Sequence, residues 1–457
     1  MVSQVGALGK HLALIGFMGA GKTTIGREVA ARIHRPFVDL DWEIEKLHGP
    51  IPEIFEAHGE EAFRRLEEQA LAEALAGPDA VLALGGGAVL SAVNRERLKA
   101  RAFRVFVDID VETAWERVRG SNRPLAQREE DFRSLYETRM PLYMQLGDAV
   151  ARDADDVVLR GLNIAVPGGI LVASPFVVIA DERVWALHPL DLDPVLTVPA
   201  GEEAKTLAIV ERLWVELDLD REGTILAVGG GSTMDVAGFV AATYLRGLSW
   251  HAVPTSLTAM VDAAIGGKTG IDTARGKNLA GAFHFPTAVS ISPHYLSTLP
   301  EEERRAGMAE VVKTGLLAGQ EIWSLPEEQM IRACAAFKAA VVLADPFERG
   351  GYRMILNLGH TFAHALEAGS GYRVRHGDAV ALGLLAALRL SAQPTDAVEE
   401  VLRPEPVEAD ADRAWAALKR DKKGEGVFVL LEAPGKPVVT TLPDEEARAA
   451  LTALIRQ

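Results

Sequence analysis

The sequence predicts an α/β chain in three parts: a three-layer domain on a parallel sheet, a second α/β domain, and a mostly helical third. Three observations predict this. The 457 residues suffice for three domains at roughly 150 residues each. From residue 11 to about 145, and again from 176 to about 290, short apolar runs alternate with longer amphipathic stretches, as in successive βαβ units. From about 295 onward, long helical patterns replace the alternation. The expected domains are 1–155, 165–293 and 294–457.

In the first part, LALIGF (12–17), PFVDLD (36–41), AVLALGG (80–86) and RVFVDID (104–110) read as buried parallel strands. Between them lie helical segments such as Glu60 to Ala76, with leucines on one face and charge on the other. Residues 148–160 are charged and weakly patterned, and the first boundary is placed there. Strands resume with FVVIAD (176–181), VLTVPAG (195–201), TILAVGGGS (224–232) and WHAVPTS (250–256). The long helices are expected at Glu301 to Leu317, Glu327 to Leu343 and Gly377 to Leu390.

Hydrophobic residues at 48% and charged residues at 25% fit a globular chain and exclude disordered or collagen-like architectures. The net charge of −16 divides into −5 up to residue 160 and −11 after it. Neither part has the basic excess that a phosphate backbone requires, so nucleic acid is not an expected partner. Net charge is blind to pockets, and a local basic pocket for a small anion stays open. The single cysteine, Cys334, permits no intramolecular disulfide, which suits a reducing cytoplasm. The amino terminus lacks the pattern of a secretory signal. The longest uncharged stretch, 161–180, is broken by Pro167-Gly168-Gly169 and Pro175, so no membrane span is expected.

Gly16-Phe17-Met18-Gly19-Ala20-Gly21-Lys22-Thr23 fits GxxxxGK[ST], directly after a strand and before a helix. Such a loop turns its N–H groups toward phosphate, and the helix N-terminus adds partial positive charge. Lys22 would reach the terminal phosphates and Thr23 would offer its hydroxyl to Mg²⁺. The first domain is therefore read as binding a nucleoside triphosphate. Asp39 and Asp41 alternate at the end of the next strand, so one can face the metal and the other an acceptor hydroxyl.

Phe63-Arg64-Arg65-Leu66-Glu67, Gly85-Gly86-Gly87, Asn122-Arg123-Pro124-Leu125 and Arg139-Met140-Pro141-Leu142-Tyr143 follow in that order. Taken singly, each arginine also suits a solvated surface. Together these motifs resemble the shikimate kinase family across the first ~150 residues. The resemblance implies that Gly19, Ala20, Gly21, Lys22, Thr23 and Thr24 hold ATP, with Asp39 acting on Mg²⁺. It implies that Asp41, Arg64, Gly86 and Arg139 hold shikimate, the arginines on its carboxylate. Asp41 would orient the attacking hydroxyl, Arg123 would cover the phosphates from a lid, and Arg119 would lie near the adenine. Planar guanidinium groups suit both carboxylate and phosphoryl charge.

In the second part, Gly229-Gly230-Gly231-Ser232 follows a strand and precedes a helix bearing Asp235. The turn suits a pyrophosphate at a helix N-terminus, and equally a plain strand-to-helix turn. Downstream, NLGHTFAHA puts His360 and His364 four apart on one helical face; His376 follows in HGD, and Glu310 lies on an earlier helix. Two imidazoles and a carboxylate give a metal three ligands and leave a position for substrate, as in catalytic zinc sites. An isolated histidine pair at this spacing also suits polar groups satisfied at a helix interface.

Residues from about 176 to 425 resemble 3-dehydroquinate synthase. They carry GGGS…D, VPTSL…VDAAIGGKTGID, GKNLAGAF, TLPEEE…GMAEVVK, NLGHTFAHALE, HGDAVALG and RDKK in family order. The resemblance implies a Rossmann-like NAD domain followed by a helical metal-binding domain, after a P-loop kinase. Glu310, His360 and His376 would bind a divalent metal, Zn²⁺ or Co²⁺. Asp181, Glu202, Lys205, Gly230, Gly231, Asp235, Thr255, Ser256, Lys268, Lys277, Thr298 and Glu303 would hold NAD. Arg246, Asp262, Lys268, Asn278, Lys313, Lys338, Arg353, Asn357, His364 and Lys422 would surround a seven-carbon phosphorylated keto acid, 3-deoxy-D-arabino-heptulosonate 7-phosphate. Of these, Lys268, Lys313 and His364 would take part in the chemistry: transient oxidation by NAD⁺, phosphate elimination, return of the hydride and aldol closure to 3-dehydroquinate.

This sequence departs from the family in places. Met234 stands where a glycine is usual before Asp235, Ala363 replaces a glycine between the histidines, and the stretch 345–353 is one residue longer. The strands before 176 and the helices after 390 look shortened. The expectation is a fused bifunctional enzyme of aromatic biosynthesis, dimeric through its second half. One rival is a metal- and NAD-dependent polyol dehydrogenase as the second half, which would not need clustered Lys268, Lys313, Arg353 and Lys422. Another is a non-catalytic nucleotide-binding module as the first half.

Overall fold

The computed structural model describes residues 5–121, 126–170, 175–421 and 427–456. The chain divides into two compact units, one of Gln4–Asn163 joined by Ala339–Ala344, the other of Ile164–Lys338 and Asp345–Gln457.

The first unit runs β1 (His11–Ile15), α1 (Lys22–Arg32), β2 (Phe37–Asp39), α2 (Leu40–His48), α3 (Ile51–Ala76), β3 (Val81–Ala83), α4 (Ala92–Arg101), β4 (Ala102–Val107), α5 (Val111–Val118), α6 (Glu129–Leu146), β5 (Ala149–Ala151) and α7 (Ala154–Gly161). The strands form one parallel sheet in the order β2-β3-β1-β4-β5. β1 and β3 are wholly buried, which explains why they read as unbroken apolar runs. The helical pattern expected from Glu60 is the second part of α3, which is interrupted at Gly59, where φ is +76°.

Two expectations are corrected here. Residues 148–160 are folded rather than connecting: β5 completes the sheet against β4, and Asp153 caps α7 through the Asp156 N–H. Their charges sit on the outer face of an edge element, which is why the segment reads as weakly patterned. The strand expected over 36–41 stops at Asp39. That residue's carboxylate caps α2 by accepting from the Asp41 and Trp42 N–H groups. Asp39 and Asp41 thus do not alternate along a strand; Asp41 lies in the first helical turn.

The second unit begins with β6 (Ile164–Ala165), β7 (Phe176–Asp181), α8 (Glu182–Leu187), β8 (Val195–Val198), α9 (Leu207–Glu216), β9 (Thr224–Gly229), α10 (Gly231–Thr243), β10 (Ser249–Pro254), the hairpin β11 (Lys268–Thr273) and β12 (Gly276–Phe283), and β13 (Ala288–Ser290). Its parallel sheet has the order β6-β13-β10-β9-β7-β8. Helices α11 (Glu301–Ala318), α12 (Glu327–Ala344), α13 (His360–Gly369), α14 (His376–Leu390), α15 (Asp396–Val401) and α16 (Ala411–Asp421) follow, then the hairpin β14 (Val427–Ala433) and β15 (Lys436–Thr441) and α17 (Asp444–Thr452). The three long helices fall within a residue of expectation. The two hairpins were not expected from the sequence. α14 buries most of its length, from Gly377 and Ala379 through Leu388. Met234 is buried inside α10 and its N–H bonds the Gly230 carbonyl, so it takes a regular helical place behind the glycine turn. Among the described residues no helix is long and apolar enough to cross a membrane.

Candidate active sites

In the first unit, β1 delivers its chain to a loop that turns back into α1 with Gly19 and Gly21 at φ +84° and +87°, a backbone that favours glycine. Lys22 Nζ donates to the carbonyls of Gly16 and Phe17, both at 2.9 Å. Thr23 Oγ1 donates to Asp39 Oδ2 at 2.6 Å, so the hydroxyl and carboxylate implied for Mg²⁺ are already side by side. Thr24 is exposed on the same turn. Arg119 lies exposed just past α5, and the arginine that reaches this loop is Arg117, whose Nη1 donates to the Gly19 carbonyl at 3.1 Å. Arg123 lies outside the described residues.

The acceptor residues converge on Gly85–Gly87, beyond the end of β3. A Cβ on Gly85 would stand 2.7 Å from both Asp41 Oδ1 and Glu67 Oε1, and one on Gly87 would stand 2.1 Å from Arg64 Nη1. Only hydrogens fit there, so these glycines let three charged side chains close over the backbone. Arg64 is held from both sides, its Nη2 on Glu60 Oε1 and its Nη1 on Glu67 Oε2, each at 2.8 Å. Burial pushes the Glu67 carboxyl up to about 7, despite the opposing pull of Arg64. Arg139 is buried on α6, near enough to act on Glu67. Gly86 adjoins the nucleotide loop: a Cβ there would lie 3.5 Å from the Met18 nitrogen. Glu67 and Arg117 were missed in the sequence. Glu67 stands inside the quoted FRRLE motif, so the available signal was its three-residue spacing from Arg64 on one helical face.

In the second unit, Gly230 and Gly231 open α10. A Cβ on Gly230 would lie 3.4 Å from Ser256 Oγ, placing the glycine turn against the Thr255–Ser256 segment after β10. Lys205 is buried and donates to Asp235 Oδ2 at 2.8 Å and to Asn278 Oδ1, with Glu202 and Asp272 oxygens at 4.0 Å. Lys277 stands 3.5 Å from Glu202. Asp181 caps α8, and Thr298 Oγ1 meets His188 Nε2 at 2.7 Å. Arg246, Glu303 and Asn357 are exposed and take no part in these contacts. Lys422 lies outside the described residues.

The deepest charges form a lattice between the π-helical turn Ala259–Ala263, α11 and α12. Lys338 Nζ reaches both Asp262 Oδ1 and the Asp262 carbonyl at 2.7 Å. Lys313, itself buried, lies 3.7 Å from Asp262 Oδ1 and is paired with Glu310 Oε2. These cations hold the Asp262 and Glu310 carboxyls below the usual range although burial works the other way. Burial brings Lys338 down to about 8. Arg353 is buried, with Nη2 on the Gly266 carbonyl at 2.9 Å and Nη1 on the Pro346 carbonyl at 2.7 Å. Lys268 is exposed and paired with Glu348, a residue the sequence reading did not single out.

Beside this lattice, Glu310, His360 and His376 offer ligand atoms within 4.8 Å of one another. Both imidazoles turn Nε2 inward, 3.5 Å from Glu310 Oε1. Their outer nitrogens have other partners, the Leu358 carbonyl at 3.2 Å for His360 and Glu367 Oε1 at 3.4 Å for His376. Occupying Nδ1 in this way leaves Nε2 to face inward, the arrangement that metal-ligating histidines use. The residues therefore fit a divalent metal. The His364 ring packs edge-on against His360 with centroids 5.7 Å apart.

Fold and sites define a fusion of two enzymes: a P-loop kinase, then an α/β and helical unit built for an anionic substrate. Residues 18–160 match the shikimate kinase family, 195–306 the 3-dehydroquinate synthase N-terminal family, and 307–424 the 3-dehydroquinate synthase C-terminal family. The bifunctional shikimate kinase/3-dehydroquinate synthase of Thermotoga maritima is 35% identical over 412 residues, covering 82% of this chain and 83% of that protein. The 3-dehydroquinate synthase of Gloeobacter violaceus is 45% identical over 294 residues, covering 57% of this chain and 81% of its own. Among solved structures, 2-deoxy-scyllo-inosose synthase with carbaglucose-6-phosphate, NAD⁺ and Co²⁺ aligns at 26% identity and a TM-score of 0.53, covering 60% of this chain and 89% of that one. The chain belongs to the bifunctional shikimate kinase/3-dehydroquinate synthase family. It is a shikimate kinase in its first unit and a 3-dehydroquinate synthase in its second, and serves aromatic biosynthesis.

Proposed function

We propose that the two activities are carried by the residues gathered above, within domains spanning 1–155, 165–293 and 294–457. In the kinase, Mg²⁺-bound ATP supplies the phosphoryl group, with Gly19 to Thr24, Asp39, Arg119 and Arg123 holding it. Asp41 orients the acceptor hydroxyl, while Arg64, Arg139 and the Gly86 backbone hold shikimate. What supports this is the convergence of Asp41, Arg64 and Glu67 on the glycine loop beside the nucleotide loop.

In the synthase, bound NAD supplies a hydride acceptor, and the divalent metal, Zn²⁺ or Co²⁺, supplies a Lewis acid. Glu310, His360 and His376 hold the metal. The residues around Lys205, Asp235 and the Gly230–Gly231 turn, with Asp181, Glu202, Thr255, Ser256, Lys268, Lys277, Thr298 and Glu303, hold the NAD. Lys313, Lys338 and Arg353 oppose the carboxylate and phosphate of the heptulosonate 7-phosphate. Asp262 sets the two lysines, and the family resemblance assigns Arg246, Lys268, Asn278, Asn357, His364 and Lys422 to the same substrate. Three buried cations next to a three-ligand group favour this substrate over a neutral polyol, and this observation carries the reading. The enzyme acts on small molecules in the cytoplasm, as a homodimer through the synthase unit, as the family resemblance implies.

The test assays one purified preparation twice, for ADP formed with shikimate and for phosphate released from heptulosonate 7-phosphate with NAD⁺ and Zn²⁺. Lys22→Ala is expected to lower shikimate phosphorylation by about 10²-fold or more and to leave phosphate release unchanged. Unchanged phosphorylation in this variant would overturn the kinase assignment, and accumulation of NADH would overturn the synthase site.

A further inference from the structure

We propose that Tyr143 is a positioning residue of the kinase acceptor pocket, its hydroxyl joining the Gly86 backbone to Arg139. The inference rests on the reading of Gly86 and Arg139 as acceptor contacts. Arg139 and Tyr143 lie four residues apart on α6, hence on one face of the helix. Tyr143 is fully buried, and its ring stacks on Phe106 of β4 with centroids 5.8 Å apart and planes 10° apart. Phenylalanine would serve that packing equally well, so the hydroxyl needs another explanation. It donates to the Gly86 carbonyl, the middle of the loop over which Asp41, Glu67 and Arg64 close. Arg139 sits one turn earlier on the same helical face, close enough for its charge to act on the phenol. With its proton committed to Gly86, the oxygen keeps lone pairs for an arginine N–H.

The two acceptor arginines are therefore supported differently. Arg64 is clamped by the carboxylates of Glu60 and Glu67. Among the described residues Arg139 has no ion pair within 4.0 Å, and Tyr143 orients it without neutralising it. Its charge stays available to an incoming carboxylate, which a bidentate guanidinium recognises only when its plane is set. Burial pushes the phenol up to about 12, so it remains a neutral donor at any working pH.

The experiment compares wild type, Tyr143→Phe and Arg139→Ala in the full chain. Steady-state constants are measured for shikimate and ATP, with phosphate release by the synthase unit as an internal control of folding. Tyr143→Phe keeps the ring on Phe106. It is expected to raise KM for shikimate about tenfold, the effect of one buried hydrogen bond, with KM for ATP and synthase turnover within about twofold. Arg139→Ala is expected to raise KM for shikimate further. An unchanged KM for shikimate in Tyr143→Phe, alongside a loss in Arg139→Ala, overturns the proposal and leaves the site reading intact. An unchanged KM in Arg139→Ala overturns the site reading itself. Equal losses for shikimate and ATP in Tyr143→Phe identify a merely structural hydroxyl and also overturn the proposal.

Discussion

In the kinase unit, Lys22 donates to two backbone carbonyls and Arg64 is clamped by two glutamates of its own helix, whereas in the synthase unit Lys313 and Lys338 are locked against Asp262 and Glu310. Both units keep cations ready for anionic substrates. The kinase charges are paired within one helix, Arg64 with Glu60 and Glu67, the former on the surface. The synthase buries a mutually compensated set, where each charge is part of the reason the others can stay charged. One consequence is that removing Lys22 should separate site chemistry from stability, whereas removing Lys313 should not.

The largest effect should come from breaking the lattice. Lys313→Ala takes its cation from Glu310 and leaves Asp262 with Lys338 alone, so synthase turnover should fall by about 10³-fold. The unit should also lose about 3–5 kcal/mol of stability, as when one partner of a buried pair is deleted. In Lys22→Ala, by contrast, calorimetry should show an unchanged kinase transition. A Lys313→Ala protein that melts like wild type would erase the distinction.

A smaller effect follows from Lys338. With its ammonium down at about 8, the group loses its proton above that pH, and synthase kcat/KM should fall roughly tenfold per unit beyond it. The stability effect has the opposite sign. The unfolded chain holds this proton up to about 10.5, so from 8 to 10.5 the unfolded state binds more protons and folding is relatively favoured as pH rises. Lys338→Arg should remove the alkaline limb from the synthase profile. The kinase profile, measured on the same samples, should not change.

The smallest expected effect belongs to Glu67. Its folded carboxyl titrates at about 7 against 4.5 in the unfolded chain, so between those values the folded unit binds the extra proton. Stability of the kinase unit should therefore decline as pH rises from 4.5 through 7, by a few degrees in Tm. Glu67→Gln should flatten that dependence, and an unaltered slope would show that the carboxyl titrates normally.

The phosphate loop was legible in the sequence because it is a local pattern, whereas Glu310, His360 and His376 lie on three helices and were named through the family resemblance. GFMGAGKT fixes its own backbone, and the spacing of His360 and His364 already sets one helical face. The residues that escaped notice act across the chain. Glu67 matters because α3 brings it against Gly85, and Glu348 because it meets Lys268, eighty positions away. Asp39 and Asp41 misled because a cap and a strand end use the same residue types, and only the backbone hydrogen bonds to Asp39 decide between them. Residues 148–160 misled because an edge strand and its helix carry charge on the solvent side. Tyr143 reads as one more core aromatic until its hydroxyl is traced to Gly86.

Cys334 carries a last consequence. It is the chain's one thiol, buried in α12, and burial pushes it up to about 12. Sulfur chemistry with peroxides and alkylating agents proceeds through the thiolate and needs access. Neither active site uses sulfur as nucleophile or ligand. In the folded chain, thiol-directed reagents therefore meet no exposed thiolate.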